Sequence, residues 1–575
     1  MADTDTPEPP KLEDLQHWTW VLGRAQQIML EQGLDAMQQV PAMPAMFDPA
    51  KAMQATADFW SDSMTLWQRF LDPANAQPFA ETPEQARDKR FKAAAWREEP
   101  VFDFLRQSYF TIADHMLKGV DALDGVDEKQ KDQIRFATKG LIDAISPSNF
   151  PATNPEVIQK VIETKGESLL KGLNHMMADL QKGQMTQVDP DAFELGRNLA
   201  MTPGKVVKRT DLYELIQYAP AGEQVLATPL IIFPPWINRF YILDLTPEKS
   251  FIRWAVEQGM TVFVVSWKSA DATMKDVVWD DYIERGQIDA IDTVRELLGV
   301  EAVHTIGYCV AGTTLAATLA VLTARGQANK VASATFFTAQ VDFSEAGELL
   351  HFVTDEQLEL IKGLGTDGFL DGRYMATTFN LLRGRDLIWN YVTNNYLMGQ
   401  DYAPFDLLHW NSDVTNLPAL WHMDYLKDLY RDNKLVRPGV MAINGTPLDL
   451  SKVTTPTYVQ AGREDHIAPA ASVWKITHHF KGPIKFVLAG SGHIAGVVNP
   501  PAAGKYQYWT NDKQVETLAE FVAGAEETKG SWWPHWIGWL EALDSEKIAA
   551  KGVRVPGKGK LKPLGDAPGT YVRTR

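Results

Sequence analysis

Between residues 213 and 492 the chain repeats one pattern: a short, unbroken apolar run, then a longer stretch with helical spacing. The runs are "YELIQYAP", "TPLIIFPPW", "MTVFVVSW", "AVHTIGYC", "SATFFTAQ", "TPTYVQAG" and "IKFVLAGSG". Between most of them lie stretches such as "DAIDTVRELLG" and "TLAATLAVLTA". A run without apolar–polar alternation reads as a strand buried on both faces, and strands joined through helices run parallel. This confines the region to an α/β fold with a largely parallel sheet. From about residue 340 to 450 the rhythm gives way to an aromatic-rich segment with few strand signals, which reads as a cap inserted over the sheet.

Up to about residue 200 the texture is helical. Leu15, Trp18, Leu22, Ala25 and Met29 form one amphipathic stripe, and Phe59, Trp60, Met64, Trp67 and Phe70 lie on a second helix. A third pattern starts at Asn154-Pro155 and carries Val157, Val161, Leu169 and Leu173. The 575 residues therefore divide into a smaller, mostly helical domain at 1–200 and an α/β domain at 201–575 with a cap at about 340–450. The aromatic helices pack on their neighbour, or contact a partner or apolar surface; the pattern serves either.

A net charge of −17 argues against a general nucleic-acid binder, which needs a basic face. One cysteine allows no internal disulfide, which suits a reducing compartment. The acidic opening "MADTDTPEPPKLEDL" has no secretory-signal pattern, and no apolar run reaches the roughly 18 residues of a transmembrane helix. The cytoplasm is the expected location.

That single thiol, Cys309, stands in "HTIGYCVAGTT" between a strand and a helix rich in small residues. Gly307 and Ala311 flank it at two positions on either side, which fits the strand–turn–helix elbow on which α/β hydrolases present a nucleophile. Small flanking residues are required because the turn is tight, and the helix N-terminus favours a thiolate. The pentapeptide alone equally fits a small buried hydrophobe. Its partners change that balance. "TPTYVQAGREDHIAP" ends a strand in a loop carrying Glu464, Asp465 and His466, and "IKFVLAGSGHIAGVVNPP" ends the next in a glycine-rich loop carrying His493. Nucleophile, acid and histidine thus occur in the order and local context that the elbow requires. His493 is the expected base and Asp465 the residue that orients it. His304 reads as packed, and His478-His479 as surface without a third metal ligand, so no metal site is expected. The oxyanion-hole amides expected are Val310 and, after an early strand, Ile237 or Asn238.

At these residues the chain resembles the class I polyhydroxyalkanoate synthases. The resemblance runs through "SPSNFPATNPEV", "FPPWINRFYILDL", "GYCVAGTTLAATLA", "FNLLRGRDLIWNYV", "FDLLHWNSDVTNLP", "DHIAP", "GSGHIAGVVNPP", "GSWWPHWIGWL" and "APGTYVRTR". Ala311, where the family usually has glycine, is the one notable departure. The resemblance implies an α/β-hydrolase fold and polymerisation of (R)-3-hydroxyacyl-CoA, with short side chains favoured, into a polyester with release of CoA. It implies no cofactor, CoA being part of substrate and product. Carried over, Cys309 bears the acyl group, His493 activates it, Asp465 helps deprotonate the 3-hydroxyl of the incoming monomer, and Trp410 lies near the substrate pocket; His466, beside Asp465, is a further candidate for substrate contact. A homodimer at the polyester granule surface, with granule-associated proteins as further partners, is implied as well. With one thiol per chain, elongation is expected to use a single site and a non-covalently held CoA ester. Arg239 and Lys268 are the cations considered for CoA. The competing readings are a thioesterase or polyester depolymerase of the same fold, and a non-catalytic granule-coat protein.

Overall fold

The computed structural model describes residues 49–72 and 81–574. The stripe from Leu15 to Met29 lies outside them. The chain divides into two compact units, one comprising the residues up to Asp189 together with Ala376–Ala403, the other Pro190–Met375 and Pro404–Arg575.

The first unit is helical. Helix Pro49–Leu71 lays Phe70 and Trp67 against Phe104 of helix Pro100–Asp121, at ring distances of 4.9 and 4.8 Å. Its Trp60 and Met64 remain about three-fifths exposed, at 61% and 60%. Phe91, Trp96, Tyr109, Phe110 and Ile142 form a buried aromatic core. The pattern starting at Asn154 folds as two helices, Pro155–Glu163 and Glu167–Lys182. Asn154 accepts from the Glu156 and Val157 amides as a cap, and the break falls at Lys165-Gly166, both with positive φ. Residues of the expected cap join this unit: the Tyr396 hydroxyl donates to Asp179 at 2.6 Å, and the Gly172 Cα faces the Tyr396 carbonyl too closely for a side chain.

The second unit is built on an eleven-stranded sheet. Its strands are β1 Gly204–Arg209, β2 Tyr213–Tyr218, β3 Leu230–Phe233, β4 Val262–Trp267, β5 Val303–Tyr308, β6 Val331–Phe337, β7 Thr457–Gly462, β8 Ile484–Ala489, β9 Gln507–Thr510, β10 Glu526–Lys529 and β11 Gly565–Asp566. The spatial order is β10-β9-β8-β7-β6-β5-β3-β4-β2-β1-β11. From β4 through β3 to β8 neighbours are parallel, and the outer pairs are antiparallel. Side chains alternate across the sheet: Ile231 and Phe233 enter one apolar core, Leu230 and Ile232 the other. Helix Val310–Ala324 follows β5 and is buried on nearly every side, so it shows no amphipathic stripe. The chain steps from β3 to β4 on one side, then returns to place β5 on the other side of β3. The crevice beyond the carboxyl ends of β3 and β5 is therefore the switch point where open α/β sheets bind ligands.

Candidate active site

Cys309 ends β5 with φ 53° and ψ −128°. A left-handed φ is costly for any residue with a Cβ, and three hydrogen bonds hold it here. Its amide donates to the Phe337 carbonyl at 2.9 Å, and its carbonyl accepts from Gly312 at 2.8 Å and Thr313 at 3.1 Å. The steric demand differs from the expectation at one position. A Cβ on Gly307 would stand 2.5 Å from the Gly312 Cα, and one on Gly312 would overlap the Ala339 Cβ. The close pair is thus Gly307 and Gly312. Ala311 is fully buried with its carbonyl accepting from Gln287 Nε2 at 2.9 Å, so the turn accommodates its methyl.

His493 and Asp465 arrive from the loops after β8 and β7. These loops touch: a Cβ on Gly462 would lie 2.8 Å from the Ser491 carbonyl and 3.1 Å from the Asp465 Cβ. Asp465 Oδ2 lies 2.7 Å from His493 Nδ1, and its Oδ1 accepts from the Ile467 and Ala468 amides at 2.8 and 2.9 Å. Tyr308 secures the histidine from below, its hydroxyl donating to the His493 carbonyl at 3.0 Å. Burial opposes charge on the His493 ring. The Asp465 carboxylate and Cys309, by charge and by hydrogen bonding, outweigh that and push its pKa up to about 10. Cys309 itself is only partly buried. Of the competitors for Asp465, Glu464 is exposed and His466 half-buried.

His304 is buried against the Ser333 hydroxyl at 2.8 Å, and burial lowers its pKa to about 4. His478 is exposed, and half-buried His479 faces Asp342 at 3.3 Å. Among the described residues no group of three metal-ligating side chains occurs.

The loop after β3 carries Ile237 and Asn238, both half-buried. Since Phe233 pairs with Gly307 in register, this loop leaves the same sheet edge as the elbow. Among the described residues neither amide has a hydrogen-bond acceptor, and the Val310 amide opens a helix, where N–H groups lack intrahelical partners. Trp410 is buried in the apolar cluster that Cys309 borders, and its indole donates to the Arg239 carbonyl at 2.7 Å. The two candidate cations for CoA are otherwise engaged. Arg239 is sealed in a 2.7 Å ion pair with Asp413, and Lys268 pairs with Asp271 at 2.7 Å.

Sequence reasoning missed Tyr425, Tyr430 and Gln340. The Tyr430 hydroxyl accepts from Gln340 Nε2 at 3.2 Å, and Ser472 donates to Gln340 Oε1 at 2.8 Å. Burial, then the charge of Cys309 among their neighbours, raises the pKa of both tyrosines. Tyr425 stacks on Trp421 at 5.1 Å, Trp421 meets Trp236 at 5.1 Å, and Trp236 stacks on Tyr282 at 4.0 Å. An aromatic wall of Tyr425, Trp421, Trp236 and Tyr282 thus runs across the loop after β3. No spacing in the cap segment marks these residues; only their meeting with the sheet edge does.

Residues 87–255 match the family model described as "Poly-beta-hydroxybutyrate polymerase (PhaC) N-terminus", and residues 242–500 match the α/β hydrolase fold. The chain is 43% identical to "Poly(3-hydroxyalkanoate) polymerase subunit PhaC" of Rhizobium meliloti, over 92% of this chain and 86% of that one. The chain belongs to the poly(3-hydroxyalkanoate) polymerases. Other polymerases agree: the protein from Methylorubrum extorquens is 44% identical over 92% of this chain and 88% of its own. That from Cupriavidus necator is 42% identical over 94% and 91%. In this polymerase the strand order and the elbow realise the expected α/β-hydrolase fold, with a helical N-terminal region ahead of it.

Proposed function

We propose that this polymerase joins (R)-3-hydroxyacyl units from their CoA thioesters, with 3-hydroxybutyryl-CoA favoured, through a covalent acyl-Cys309. The observation that carries the reading is Cys309 at an elbow beside a His493 whose other nitrogen is bound to buried Asp465. A ring with pKa near 10 beside a thiol favours an imidazolium–thiolate pair. In loading, the thiolate attacks the thioester carbonyl and the CoA sulfur leaves with the imidazolium proton, giving acyl-Cys309, CoASH and neutral His493. Having passed its proton to the CoA sulfur, His493 is neutral when the next monomer arrives. It takes the proton of that monomer's 3-hydroxyl; the oxygen attacks the acyl-cysteine and expels the thiolate, restoring the ion pair. The lengthened chain, held as a CoA ester, reloads the same sulfur. Asp465 acts through His493, since its carboxylate oxygens are occupied by the ring and two amides. Val310 and Ile237 or Asn238 donate to the oxyanion.

Thioester-to-thioester loading is nearly balanced in energy, and each oxygen ester formed is more stable than the thioester it replaces, which drives elongation. The aromatic wall serves to exclude water, which would otherwise release hydroxy acid. We place the enzyme as a homodimer at the surface of cytoplasmic polyester granules, and among the described residues no helix is long and apolar enough to cross a membrane.

Brief exposure to a CoA thioester lacking the 3-hydroxyl traps the first acyl-enzyme. Peptide mass spectrometry should find the acyl group on Cys309 and none in Cys309→Ala. An adduct elsewhere overturns the reading. With (R)-3-hydroxybutyryl-CoA, polymer and CoA are expected, whereas free hydroxy acid with CoA would make the enzyme a hydrolase.

A further inference from the structure

The loop between β3 and the turn at Phe240 has no regular structure, yet the direction of its amides decides whether an oxyanion is met. Two carbonyls before the candidate amides are anchored. Trp267 Nε1 donates to Pro234 at 2.8 Å and Thr415 Oγ1 to Trp236 at 2.7 Å. The next fixed point is Arg239. Its amide donates to Asn238 Oδ1 at 2.8 Å and its carbonyl accepts from Trp410 Nε1. Its side chain, 1% exposed, reaches two distant segments. Nε binds Asp413 Oδ1 at 2.7 Å; Nη2 donates to the Val414 and Thr574 carbonyls at 3.1 and 2.8 Å; Nη1 donates to the Tyr571 carbonyl at 3.3 Å. Asp413 in turn accepts from the Tyr241 hydroxyl at 2.9 Å. Ile237 and Asn238 are thus suspended between two clamped residues.

We propose that Arg239 is a positioning residue for acyl transfer, clamping the loop so that the Ile237 or Asn238 amide faces the oxyanion formed at Cys309. The inference rests on the acyl-cysteine reading above. A buried guanidinium is suited to this task because its planar fork can hold a carboxylate and several carbonyls in fixed directions, which an ammonium cannot. The same clamp ties Asp413 and Val414, which follow helix Asp406–Ser412, to the loop after β3. Small misplacement of an oxyanion donor is costly, since removing one outright slows turnover by about 100- to 1000-fold.

Two variants separate positioning from general support. Arg239→Lys keeps a cation for Asp413 but loses the fork. Thr415→Val releases the Trp236 carbonyl and leaves no charge unpaired, so it serves if the lysine variant fails to fold. Two reactions at Cys309 are then compared: single-turnover loading from the saturated CoA thioester, which passes through an oxyanion, and alkylation by iodoacetamide, which does not. Loading should slow by about 10- to 100-fold while the alkylation rate and its pH profile stay at wild-type values. Unchanged loading overturns the clamp, as does alkylation slowed by the same factor, which marks general damage to the site. If the wild type forms no acyl adduct at all, the acyl-cysteine reading falls and the clamp with it. A normal wild-type adduct with unaffected variants removes the clamp alone.

Discussion

Cys309 sits in a backbone conformation that costs a non-glycine residue about 1–3 kcal/mol, and the amide of its own residue, bonded to β6, helps hold it there. The sulfur is consequently placed by the end of β5, and the imidazole by a loop held through Tyr308 and Asp465. Replacing Asp465 by Asn keeps the shape but removes the charge that orients and protonates His493. Polymerisation should fall by about 100-fold or more, read as CoA release under saturating substrate. The same ring predicts a pH dependence of stability. Its folded pKa of about 10 lies above the 6.5 of a free histidine, so its contribution is fully present below pH 6.5 and is lost as pH rises toward 10. Chemical denaturation of wild type and His493→Gln across that window should show the wild-type advantage shrinking with rising pH. An advantage that grew instead would contradict the assigned ion pair.

Among elements, the strand β5, its elbow and helix Val310–Ala324 were legible because each obeys a local rule: a continuous apolar run, small residues at a tight turn, a helix buried all round. The elbow's second small position was legible only as a neighbourhood. Spacing pointed to Ala311, whereas the crowding against Gly307 and Ala339 falls on Gly312. Gly312→Ala should therefore lower stability by about 1–3 kcal/mol through overpacking, with a parallel loss of activity. Ala311→Gly should cost no more than about 1 kcal/mol, and thermal melting distinguishes the two. The pattern that opens at Asn154 is interrupted at Lys165-Gly166, both with positive φ, although its apolar spacing continues through Leu169 and Leu173.

At the scale of the whole molecule, the insertion between β6 and β7 does two things that no local pattern announces. Ala376–Ala403 belongs to the helical unit, while Trp421 and Tyr425 stack on each other and reach Trp236 of the loop after β3. Trp421 is fully buried, and its stack with Tyr425 continues to Trp236 and Tyr282. Trp421→Ala should cost about 3–5 kcal/mol and admit water to the acyl-cysteine. The ratio of free 3-hydroxybutyrate to polymer should rise several-fold, measured by chromatography of the products of one substrate pulse. A variant that lost activity while keeping the wild-type ratio would assign the wall to packing alone.

The order of runs and turns along the chain was enough to establish an α/β sheet, the elbow sulfur, and the acid and histidine that follow it. Each depends on residues near in sequence and on the rule that ligand sites gather at the carboxyl ends of parallel strands. It could not reveal that Arg239 is locked to Asp413 rather than open to a phosphate, or that Tyr425 and Trp421 of the cap stack toward Trp236. Those facts depend on which distant segments meet, and that is decided by how the cap and the residues near 571–574 pack onto the sheet edge. A side chain's chemistry is written in the sequence; whether its charge is spent on a neighbour is settled only when the chain has folded.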